Sequence, residues 1–253
     1  MDDLAGRHAL VTGGGRGIGR AVAKTLSAGG ARVTVLGRGR AALEDAVASG
    51  DAAAATVADV TDAAALKVAI ERAAVARGPI DILVANAGGA ESMPFAKSDA
   101  ELFRRMIDVN LMGAVHPIQS VVGGMSARGF GRIVAIASTA GLKGYAYVSA
   151  YCAAKHAVVG LVRALALETA ASGVTVNAVC PGFTDTDLVR ASVEKIVRKT
   201  GRTAADTVAE LVENNALGRL IAPGEVAAAV AFLCSSGASG VTGSVLTVAG
   251  GEI

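Results

Sequence analysis

The chain has 253 residues, a length that suits one α/β domain. With 52% hydrophobic and 18% charged residues it can build a large core, which excludes an intrinsically disordered protein. The net charge is +2, and the 24 lysines and arginines form no dense run, so the composition does not indicate a nucleic-acid surface.

Short β-rich runs alternate with longer helical patterns along the first half of the chain. Strands are predicted at 8–12, 32–36, 54–57 and 82–85. Helices are predicted at 17–28, around Leu43 and Val47, and from the N-cap Asp62 to near Arg77. A long helical segment follows from about Asp99 toward Met125. An interruption is predicted near Pro117, because proline removes a helical hydrogen bond.

The second half continues the alternation. It contains predicted strands at 132–137, 174–179 and 245–248, and predicted helices at 151–172 and 225–234. The strands are apolar on both faces, as buried parallel strands are. This pattern predicts a single-domain doubly wound parallel sheet, a Rossmann fold, over residues 1–253. The polar, helical segment 184–215 is interpreted as a lid over the carboxyl edge of the sheet, where ligands bind in such folds.

The first strand runs into a glycine-rich turn, TGGGRGIG at 12–19. Glycines in such a turn let the backbone approach a pyrophosphate, and the following helix N-terminus offers free N–H groups to the phosphates. The spacing TGxxxGxG differs from the usual GxGxxG. A flexible turn without a ligand is the alternative, but its position between a strand and an amphipathic helix favours a dinucleotide site. The predicted contacts are Gly13, Gly15, Arg16, Gly17, Ile18 and Gly19.

The end of the second strand predicts which cofactor is used. An acid there binds the ribose 2′-hydroxyl of NAD, whereas a nearby arginine accommodates the 2′-phosphate of NADP. This chain has Gly37 and Arg38 in that place, and Arg16 offers a second positive charge. The residues therefore favour NADP(H), with NAD(H) as the alternative. Both arginines can also be interpreted as ordinary solvated surface residues.

Tyr151 and Lys155 stand at i and i+4, which puts both side chains on one face of a helix. A phenol has a pKa of about 10 in water, and an adjacent ammonium is expected to lower it. Ser138 closes the fifth predicted strand and can donate a hydrogen bond to a carbonyl oxygen. Each residue alone also has a structural interpretation: packing for the tyrosine, a solvated charge for the lysine and a helix cap for the serine.

Several segments stand in the order found in one enzyme family. They are TGGGRGIG at 12–19, AD at 58–59, NAG at 86–88, Asn110, Ser138, YCAAK at 151–155 and PG at 181–182. On these segments the chain resembles the short-chain dehydrogenase/reductases over residues 9–251. The resemblance implies a Rossmann fold, a Ser-Tyr-Lys site completed by an asparagine, and a homotetramer or homodimer. Ala249 replaces the aspartate of the frequent Asp-Gly-Gly, in a region associated with assembly.

The resemblance also implies a role for each site residue. Tyr151 would donate a proton to the carbonyl oxygen in reduction and remove it in oxidation. Lys155 would lower the pKa of that tyrosine and hold the nicotinamide ribose. Ser138 would polarise the carbonyl, and Asn110 would hold a water that links Lys155 to solvent. The remaining implied cofactor contacts are Asp59 and Val60 at the adenine, Asn86, Ala87 and Gly88 at the ribose, and Pro181, Gly182 and Thr184 to Thr186 near the nicotinamide.

Three aromatic residues are candidates for contact with the substrate. The sequence GLKGYAY at 141–147 follows Ser138 and is predicted to form a loop at the pocket mouth. Tyr145 and Tyr147 in this loop either touch substrate or pack one loop against another. Phe183 is the third candidate.

The reaction implied by the resemblance is the reduction of a ketone, or the reverse oxidation of a secondary alcohol. The segments around AKHAVVGL and VNAVCPGF resemble 3-oxoacyl and polyketide ketoreductases and 3-hydroxyacyl or 3-hydroxybutyrate dehydrogenases. The expected substrate is therefore a small carbonyl compound such as a 3-oxoacyl thioester, including one linked to CoA or a carrier. The alternatives are an NAD-dependent secondary-alcohol or 3-hydroxyacyl-CoA dehydrogenase and, from another class, a non-catalytic cofactor-binding regulator. The intact Ser-Tyr-Lys set argues against the regulator.

No metal, membrane or nucleic-acid partner is expected. His8, His116 and His156 have no metal-ligand spacing to one another or to cysteine. Cys152, Cys180 and Cys234 form no CxxC pair and do not suggest a disulfide framework, so a reducing cytoplasm is the expected location. Acids stand at Asp2 and Asp3, where a signal peptide carries positive charge, and no run of 18 uninterrupted apolar residues predicts a membrane span.

Overall fold

Seven parallel strands form the centre of the molecule. The computed structural model describes residues 4–253, so Asp2 and Asp3, on which the signal-peptide expectation depends, lie outside the described residues. The strands are β1 (His8–Thr12), β2 (Arg32–Gly37), β3 (Ala54–Val57), β4 (Ile82–Ala85), β5 (Gly131–Ile136), β6 (Val174–Pro181) and β7 (Val245–Val248). Their order is β3-β2-β1-β4-β5-β6-β7, with each neighbouring pair parallel. The predicted doubly wound parallel sheet is thus confirmed.

Helices cover both faces of the sheet. They are α1 (Gly17–Ala28), α2 (Arg40–Ala48), α3 (Ala63–Arg77), α4 (Ala100–Ile107), α5 (Gly113–Ala127), α6 (Ser149–Thr169), α7 (Asp187–Thr200), α8 (Ala204–Leu211) and α9 (Pro223–Cys234). On one face, Leu26 of α1 packs with Val230 of α9 against the sheet. On the other face, Ile118 of α5 and Val162 of α6 pack against it. The two cores explain why the strands are apolar on both sides.

The functional edge of the sheet lies where the strand order reverses. β1 pairs with β2 on one side and with β4 on the other, so the connections after β1 and β4 diverge to opposite faces. This divergence leaves a crevice beyond the carboxyl ends of the strands, which is where ligands bind in doubly wound sheets. The glycine-rich turn follows β1, the NAG segment follows β4, and Ser138 follows β5. The fold therefore brings all three to one edge.

Most predicted elements agree with the structure, and the differences are at their ends. β2 extends to Gly37 and β6 to Pro181, whereas β5 ends at Ile136 and leaves Ser138 in the following turn. α6 begins at Ser149, so Tyr151 lies in its first turn. α9 begins at Pro223, because proline suits the first position of a helix, where no N–H donor is needed. The predicted N-cap Asp62 is confirmed, since its Oδ1 accepts the N–H of Ala65 at 3.0 Å.

The predicted interruption at Pro117 is wrong. Pro117 lies inside α5, and the helix is interrupted earlier, by a π-helical turn at Asp108–Met112. The Asn110 side chain explains this turn, because its Nδ2 donates to the Met106 carbonyl at 3.0 Å and so satisfies an acceptor of the helical ladder. Single π turns are frequent at functional sites, and this one holds a predicted site residue.

The segment 184–215 contains α7 and α8, as the lid interpretation requires. It packs weakly, because α7 buries only Val193 and α8 buries only Thr207, whereas α9 buries five residues. Its ion pairs, such as Arg202 with Glu210, are exposed and contribute little stability.

We expect the lid to exchange its amide hydrogens faster than the core. Segments with few buried apolar contacts open locally at low free-energy cost, so α7 amides should be at least about tenfold less protected than those of α9. Bound cofactor and substrate should raise the protection of α7. The check is hydrogen exchange followed by mass spectrometry, with α9 as the internal control. Equal protection of both helices in the ligand-free protein would refute the lid interpretation.

One helical stretch, Ser149–Ser172, is long and apolar enough to cross a membrane by length and composition alone. It consists mainly of α6, whose Val158, Val162 and Ala166 are buried in the core against the sheet. A core helix of a soluble protein meets the same criterion. The stretch also carries Tyr151 and Lys155, so its burial positions the predicted site.

Candidate active site

The glycine-rich turn brings its backbone unusually close to neighbouring atoms. Gly13 has φ +65°, a left-handed conformation that favours glycine. A Cβ on Gly13 would lie 2.8 Å from Asn86 Nδ2, and a Cβ on Gly19 would lie 2.3 Å from the Gly13 carbonyl oxygen. The turn therefore requires glycine at both positions. This close approach of backbone suits a pyrophosphate.

The N-terminus of α1 opens directly onto this turn. Arg16 is its N-cap residue, and the arginine side chain makes no capping hydrogen bond. The first N–H groups of a helix have no partner within the helix, and together with the helix dipole they favour an anion. Among the described residues, this glycine cradle and helix start fit the diphosphate of a dinucleotide.

Thr12 joins the glycine turn to the NAG segment, a function that the sequence analysis missed. Its Oγ1 accepts the backbone N–H groups of Asn86 and Ala87, each at 3.0 Å. The Asn86 Nδ2 donates to the Thr12 carbonyl at 2.9 Å and to the Gly13 carbonyl at 3.3 Å. These bonds fix the predicted ribose residues to the turn. The threonine that opens TGGGRGIG was the available signal.

At the opposite end of the crevice, Arg38 meets Asp59. Arg38 Nη1 lies 3.7 Å from Asp59 Oδ2, and the arginine side chain is 75% exposed. Hydrogen bonds from Thr61 and, to a lesser degree, the charge of Arg38 lower the pKa of Asp59. The predicted adenine residue Val60 is buried here, and its carbonyl oxygen is 2.9 Å from His116 Nδ1. The predicted adenine residues Asp59 and Val60 therefore lie beside Arg38, one of the two arginines predicted at the 2′-phosphate.

Gly37 leaves room for a side chain beside these residues. A Cβ at this position would contact only Leu43 Cδ2 at 3.7 Å and Gly13 Cα at 4.0 Å. Both are ordinary van der Waals distances, so glycine is not required by packing. The absence of an acid here therefore leaves this end of the crevice without the carboxylate that would hold a ribose 2′-hydroxyl.

Ser138 lies in the turn that follows β5. The turn, Thr139–Gly141, is a short 3-10 helix whose first N–H groups are capped by the serine, with the Ala140 N–H donating to Ser138 Oγ at 3.1 Å. Gly141 fixes this turn against α6, because a Cβ there would lie 2.7 Å from the Lys155 carbonyl oxygen. The cap interpretation of Ser138 is therefore correct, and the turn that Ser138 begins packs directly against the helix that carries Tyr151.

The Tyr151 hydroxyl lies in an enclosed position beside Ser138. Desolvation in its enclosed position raises the pKa of Tyr151, and a hydrogen bond with Ser138 only partly opposes this effect. A phenol with a raised pKa stays protonated at neutral pH. The residue is therefore set up to donate a proton, and Ser138 is positioned beside it.

Lys155 lies beside the Tyr151 ring, and its expected lowering of the Tyr151 pKa remains a prediction. Lys155 Nζ lies 5.8 Å from the centroid of the Tyr151 ring and donates to the Ile136 carbonyl at 2.8 Å. This hydrogen bond holds the lysine at the end of β5. Burial lowers the pKa of Lys155 to about 8, so the lysine is still mostly protonated at neutral pH.

Two hydrogen bonds link Asn110 to the segment that follows β4. Its Nδ2 donates to the Gly89 carbonyl at 2.9 Å, and its Oδ1 accepts the Gly89 N–H at 3.2 Å. A Cβ on Gly88 would lie 2.8 Å from Asn110 Oδ1 and 3.5 Å from Lys155 Nζ. The backbone of Gly88 is therefore in close contact with the side chains of Asn110 and Lys155. The water that Asn110 was predicted to hold remains a prediction.

We expect Gly88→Ala to damage the site and Gly89→Ala to spare it. The added methyl at Gly88 would push Asn110 and Lys155 apart, and misplacements of about 1 Å near reacting groups can cost about 10²-fold in rate. A Cβ on Gly89 meets nothing within 4 Å. The check is kcat and KM of both variants together with their melting temperatures. Equal kcat and KM in Gly88→Ala and Gly89→Ala would contradict the close contact of Gly88 with Asn110 and Lys155.

The residues after β6 divide between the nicotinamide region and the glycine turn. Pro181 ends the strand, and the Gly182 N–H donates to the Val248 carbonyl at 3.1 Å. Thr184 is buried and pairs with Ile221 in a single parallel bridge. The Thr186 side chain would contact a Cβ on Gly17 at 3.4 Å. Thr186 therefore lies against the glycine turn, at the phosphate end of the crevice.

Two of the three aromatic candidates face each other beside Ser138. The rings of Tyr145 and Phe183 meet edge to face, with centroids 6.0 Å apart. Tyr147 differs, because it is 64% exposed and has φ +67°. Its carbonyl oxygen accepts the Met93 N–H at 2.7 Å, which joins this loop to the one after β4. The backbone of Tyr147 thus packs one loop against another, and the Tyr145 ring packs on the Phe183 ring.

His8 and the three cysteines are buried in the fold. His8 is buried, with Nδ1 2.7 Å from the Gly78 carbonyl oxygen and Nε2 2.8 Å from Thr34 Oγ1. The three cysteines are free and buried. Within residues 4–253, no group of three or more His, Cys, Asp or Glu side chains has the geometry to hold a metal ion.

Comparison with known proteins identifies the family. A model of the short chain dehydrogenase family matches residues 7–197. The chain is 39% identical to an acetoacetyl-CoA reductase of Rhizobium meliloti, over 97% of this chain and 98% of that protein. It is 38% identical to a D-beta-hydroxybutyrate dehydrogenase of Cupriavidus necator, over 99% of each.

A solved structure agrees with these relatives. The crystal structure of an actinorhodin polyketide ketoreductase variant with NADPH superposes with a TM-score of 0.91 at 36% identity, covering 100% of this chain and 98% of that one. The family match spans most of the chain and includes the glycine turn, Ser138, Tyr151 and Lys155. The protein therefore belongs to the short-chain dehydrogenase/reductase family of NAD(P)-dependent oxidoreductases.

Proposed function

We propose that this enzyme reduces a β-keto compound, a 3-oxoacyl thioester or a related ester, with NADPH as the reductant. The observation that carries the proposal is the enclosed Tyr151 hydroxyl, hydrogen-bonded with Ser138 at the edge of the sheet that the glycine turn shares. When bound, the cofactor supplies the hydride, which is chemistry that the protein itself does not perform.

The side chains supply the proton and the orientation. Tyr151 donates its proton to the carbonyl oxygen as negative charge develops there, and Ser138 Oγ polarises the same oxygen. Lys155, anchored on the Ile136 carbonyl, and Asn110, anchored on Gly89, line the route by which the phenol regains a proton. In this assignment Tyr151 is the acid in reduction and the base in oxidation.

The choice of NADPH is supported by the charges at the end of β2. Gly37 offers no carboxylate for a 2′-hydroxyl, and Arg16 and Arg38 are exposed cations near the glycine turn. The pairing with Asp59 leaves Arg38 75% exposed and able to reach a phosphate. The actinorhodin ketoreductase structure, at 36% identity, also contains NADPH.

The choice of a β-keto substrate is supported by the relatives and by two aromatic rings near Ser138. The Rhizobium meliloti relative is named for acetoacetyl-CoA. Tyr145 and Phe183 provide an apolar edge beside Ser138, large enough to contact the chain of an acyl group. The basic residues Lys195, Arg198 and Lys199 of the lid are proposed to attract the phosphates of CoA or a carrier.

The test is a substrate panel with both cofactors. Acetoacetyl-CoA, ethyl acetoacetate and simple ketones are offered with NADPH and with NADH, and D-3-hydroxybutyrate is offered with NADP⁺ and NAD⁺. Fastest reduction of the thioester with NADPH supports the proposal. Preferential oxidation of hydroxybutyrate with NAD⁺ would favour the alternative that the Cupriavidus necator relative suggests, and inactivity with retained cofactor binding would favour a regulator.

The proposal also covers the oligomeric state of the protein and its location in the cell. Short-chain dehydrogenase/reductases commonly form oligomers, and the family match supports the same for this chain. A homotetramer or homodimer is proposed, to be checked by sedimentation equilibrium. The three free, buried cysteines suit the cytoplasm.

A further inference from the structure

Glu252, the penultimate residue, is buried between the segments that follow β5 and β6. Its side chain is only 4% exposed, and its Oε1 lies 3.1 Å from Nζ of Lys143, in the loop that follows β5. Its other oxygen, Oε2, faces the segment after β6, where a Cβ on Gly182 would lie 3.0 Å from it. Removing one partner of a buried, paired carboxylate is costly. Glu252 is therefore a fixed point to which both segments are attached.

A hydrogen-bond network runs from Glu252 to the turn that Ser138 begins. The Tyr145 hydroxyl donates its single hydrogen to Glu252 Oε1. The Thr139 hydroxyl is therefore the donor in the 2.6 Å bond between Thr139 Oγ1 and the Tyr145 oxygen. Burial and the bond to the carboxylate raise the pKa of Tyr145, so the phenol keeps the hydrogen that this network requires. The bonds thus have one order, from Thr139 through Tyr145 to Glu252.

Thr139 connects this network to Ser138. It is buried and directly follows Ser138 in the chain. Its carbonyl oxygen accepts the N–H groups of Leu142 at 2.9 Å and Lys143 at 3.0 Å, so Thr139 is bound into the turn at both its side chain and its backbone. Ser138 belongs to the same turn, since its Oγ accepts the Ala140 N–H at 3.1 Å. A movement of Thr139 would therefore carry Ser138 Oγ with it.

We propose that Glu252 is a positioning residue, which acts through Tyr145 and Thr139 to hold Ser138 in the orientation that the reaction requires. The inference rests on the proposed function, in which Ser138 Oγ polarises the carbonyl oxygen of the substrate. Buried polar networks whose members all have partners make the surrounding structure rigid. Glu252 and Tyr145 are 107 positions apart in the sequence, so the end of the chain supports a turn in its middle.

The test measures the reduction of acetoacetyl-CoA by NADPH in the wild type, Tyr145→Phe, Glu252→Ala and the double variant. Tyr145→Phe removes one hydroxyl, keeps the ring that packs on Phe183, and breaks the network in the middle. We expect each single variant to lower kcat about tenfold, since displacements of about 1 Å near reacting groups can cost about 10²-fold in rate. The KM and Kd for NADPH should stay at their wild-type values, because the glycine turn is not part of the network.

The double variant distinguishes a shared network from two separate effects. If Glu252 acts through Tyr145, the second substitution removes nothing that the first has left, so the double variant should be no slower than the slower single variant. Rates are expressed per NADPH-binding site, so that unfolded protein does not lower them, and the melting temperature of each variant is recorded. Ile253→Ala is the matched control, because Ile253 is the neighbouring residue and is 54% exposed. Its kcat should equal that of the wild type.

Several results would overturn the inference and leave the proposed function intact. They are a wild-type kcat in both single variants, losses that multiply in the double variant, or a loss that appears only as a higher KM for NADPH. If Glu252→Ala does not fold, the kcat of Tyr145→Phe decides the matter. A wild type that does not reduce acetoacetyl-CoA overturns the proposed function together with the inference.

Discussion

Replacing Tyr151 with phenylalanine should lower kcat by about 10²–10⁴-fold, the usual contribution of general acid catalysis. The substitution removes one oxygen and leaves the ring in the first turn of α6. Ser138 stays in its turn, but a serine hydroxyl is too weak an acid to replace the phenol. The binding of NADPH, measured by fluorescence titration, should change little because the glycine turn is untouched. Near-normal turnover would show that the proton comes from another group.

The pH dependence of the wild type gives the same assignment a second test. Because desolvation raises the pKa of Tyr151, the phenol is protonated through neutral pH and loses its proton only in alkaline solution. The rate of reduction should therefore stay level near neutral pH and fall as the pH rises toward that pKa. Oxidation, which needs the phenolate, should instead accelerate over the same range. A reduction rate that increases with alkalinity would contradict the role of Tyr151 as the acid.

Gly37→Asp should reverse the cofactor preference. The new carboxylate has room, since a Cβ there makes only ordinary contacts, and it would repel a 2′-phosphate while accepting a bond from a 2′-hydroxyl. Arg38→Ala should act in the same direction and would also leave the Asp59 charge unpaired. A charge-assisted hydrogen bond contributes about 1.5–3 kcal/mol, and each 1.4 kcal/mol is about tenfold. Each variant should thus shift kcat/KM toward NADH by about tenfold or more.

Arg104→Ala serves as the control for loss of a surface arginine. Arg104 lies on α4 and its side chain is 70% exposed, close to the 75% of Arg38. It also has a carboxylate partner, Glu101, at 3.5 Å. Its NADPH-to-NADH ratio should match the wild type. A wild type that already prefers NADH by tenfold would overturn the cofactor proposal and leave the family and the Tyr151 assignment intact.

The sequence could predict those features that depend on local spacing. The strand at 8–12, the helix at 17–28 and the N-cap Asp62 follow from hydrophobic periodicity and capping chemistry, and the structure contains all three. Tyr151 and Lys155 share a helix face for the same reason. The burial of β5 and β6 on both faces was equally visible, because parallel strands between two helical layers have no polar side.

Features that depend on distant side chains could not be predicted in this way. The π turn at Asp108–Met112 exists because the Asn110 amide reaches back to Met106, and proline at 117 gave a misleading signal. No spacing rule connects Glu252 with Tyr145, since the turn after β7 brings them together. The pKa of Tyr151 depends on its enclosure, which raises it, and on the hydrogen bond with Ser138, which lowers it, and only the packed structure determines both.

The most direct measurement is a single-turnover experiment with enzyme-bound NADPH and acetoacetyl-CoA, comparing the wild type with Tyr151→Phe. Enzyme is mixed with substrate in excess, and the loss of NADPH absorbance is followed together with the formation of 3-hydroxybutyryl-CoA. The account predicts rapid loss of NADPH with equimolar hydroxy product in the wild type, and a rate about 10²–10⁴-fold lower in the variant at unchanged NADPH affinity. Equal rates in the two proteins, or no hydroxy product from a wild type that binds NADPH, would contradict it.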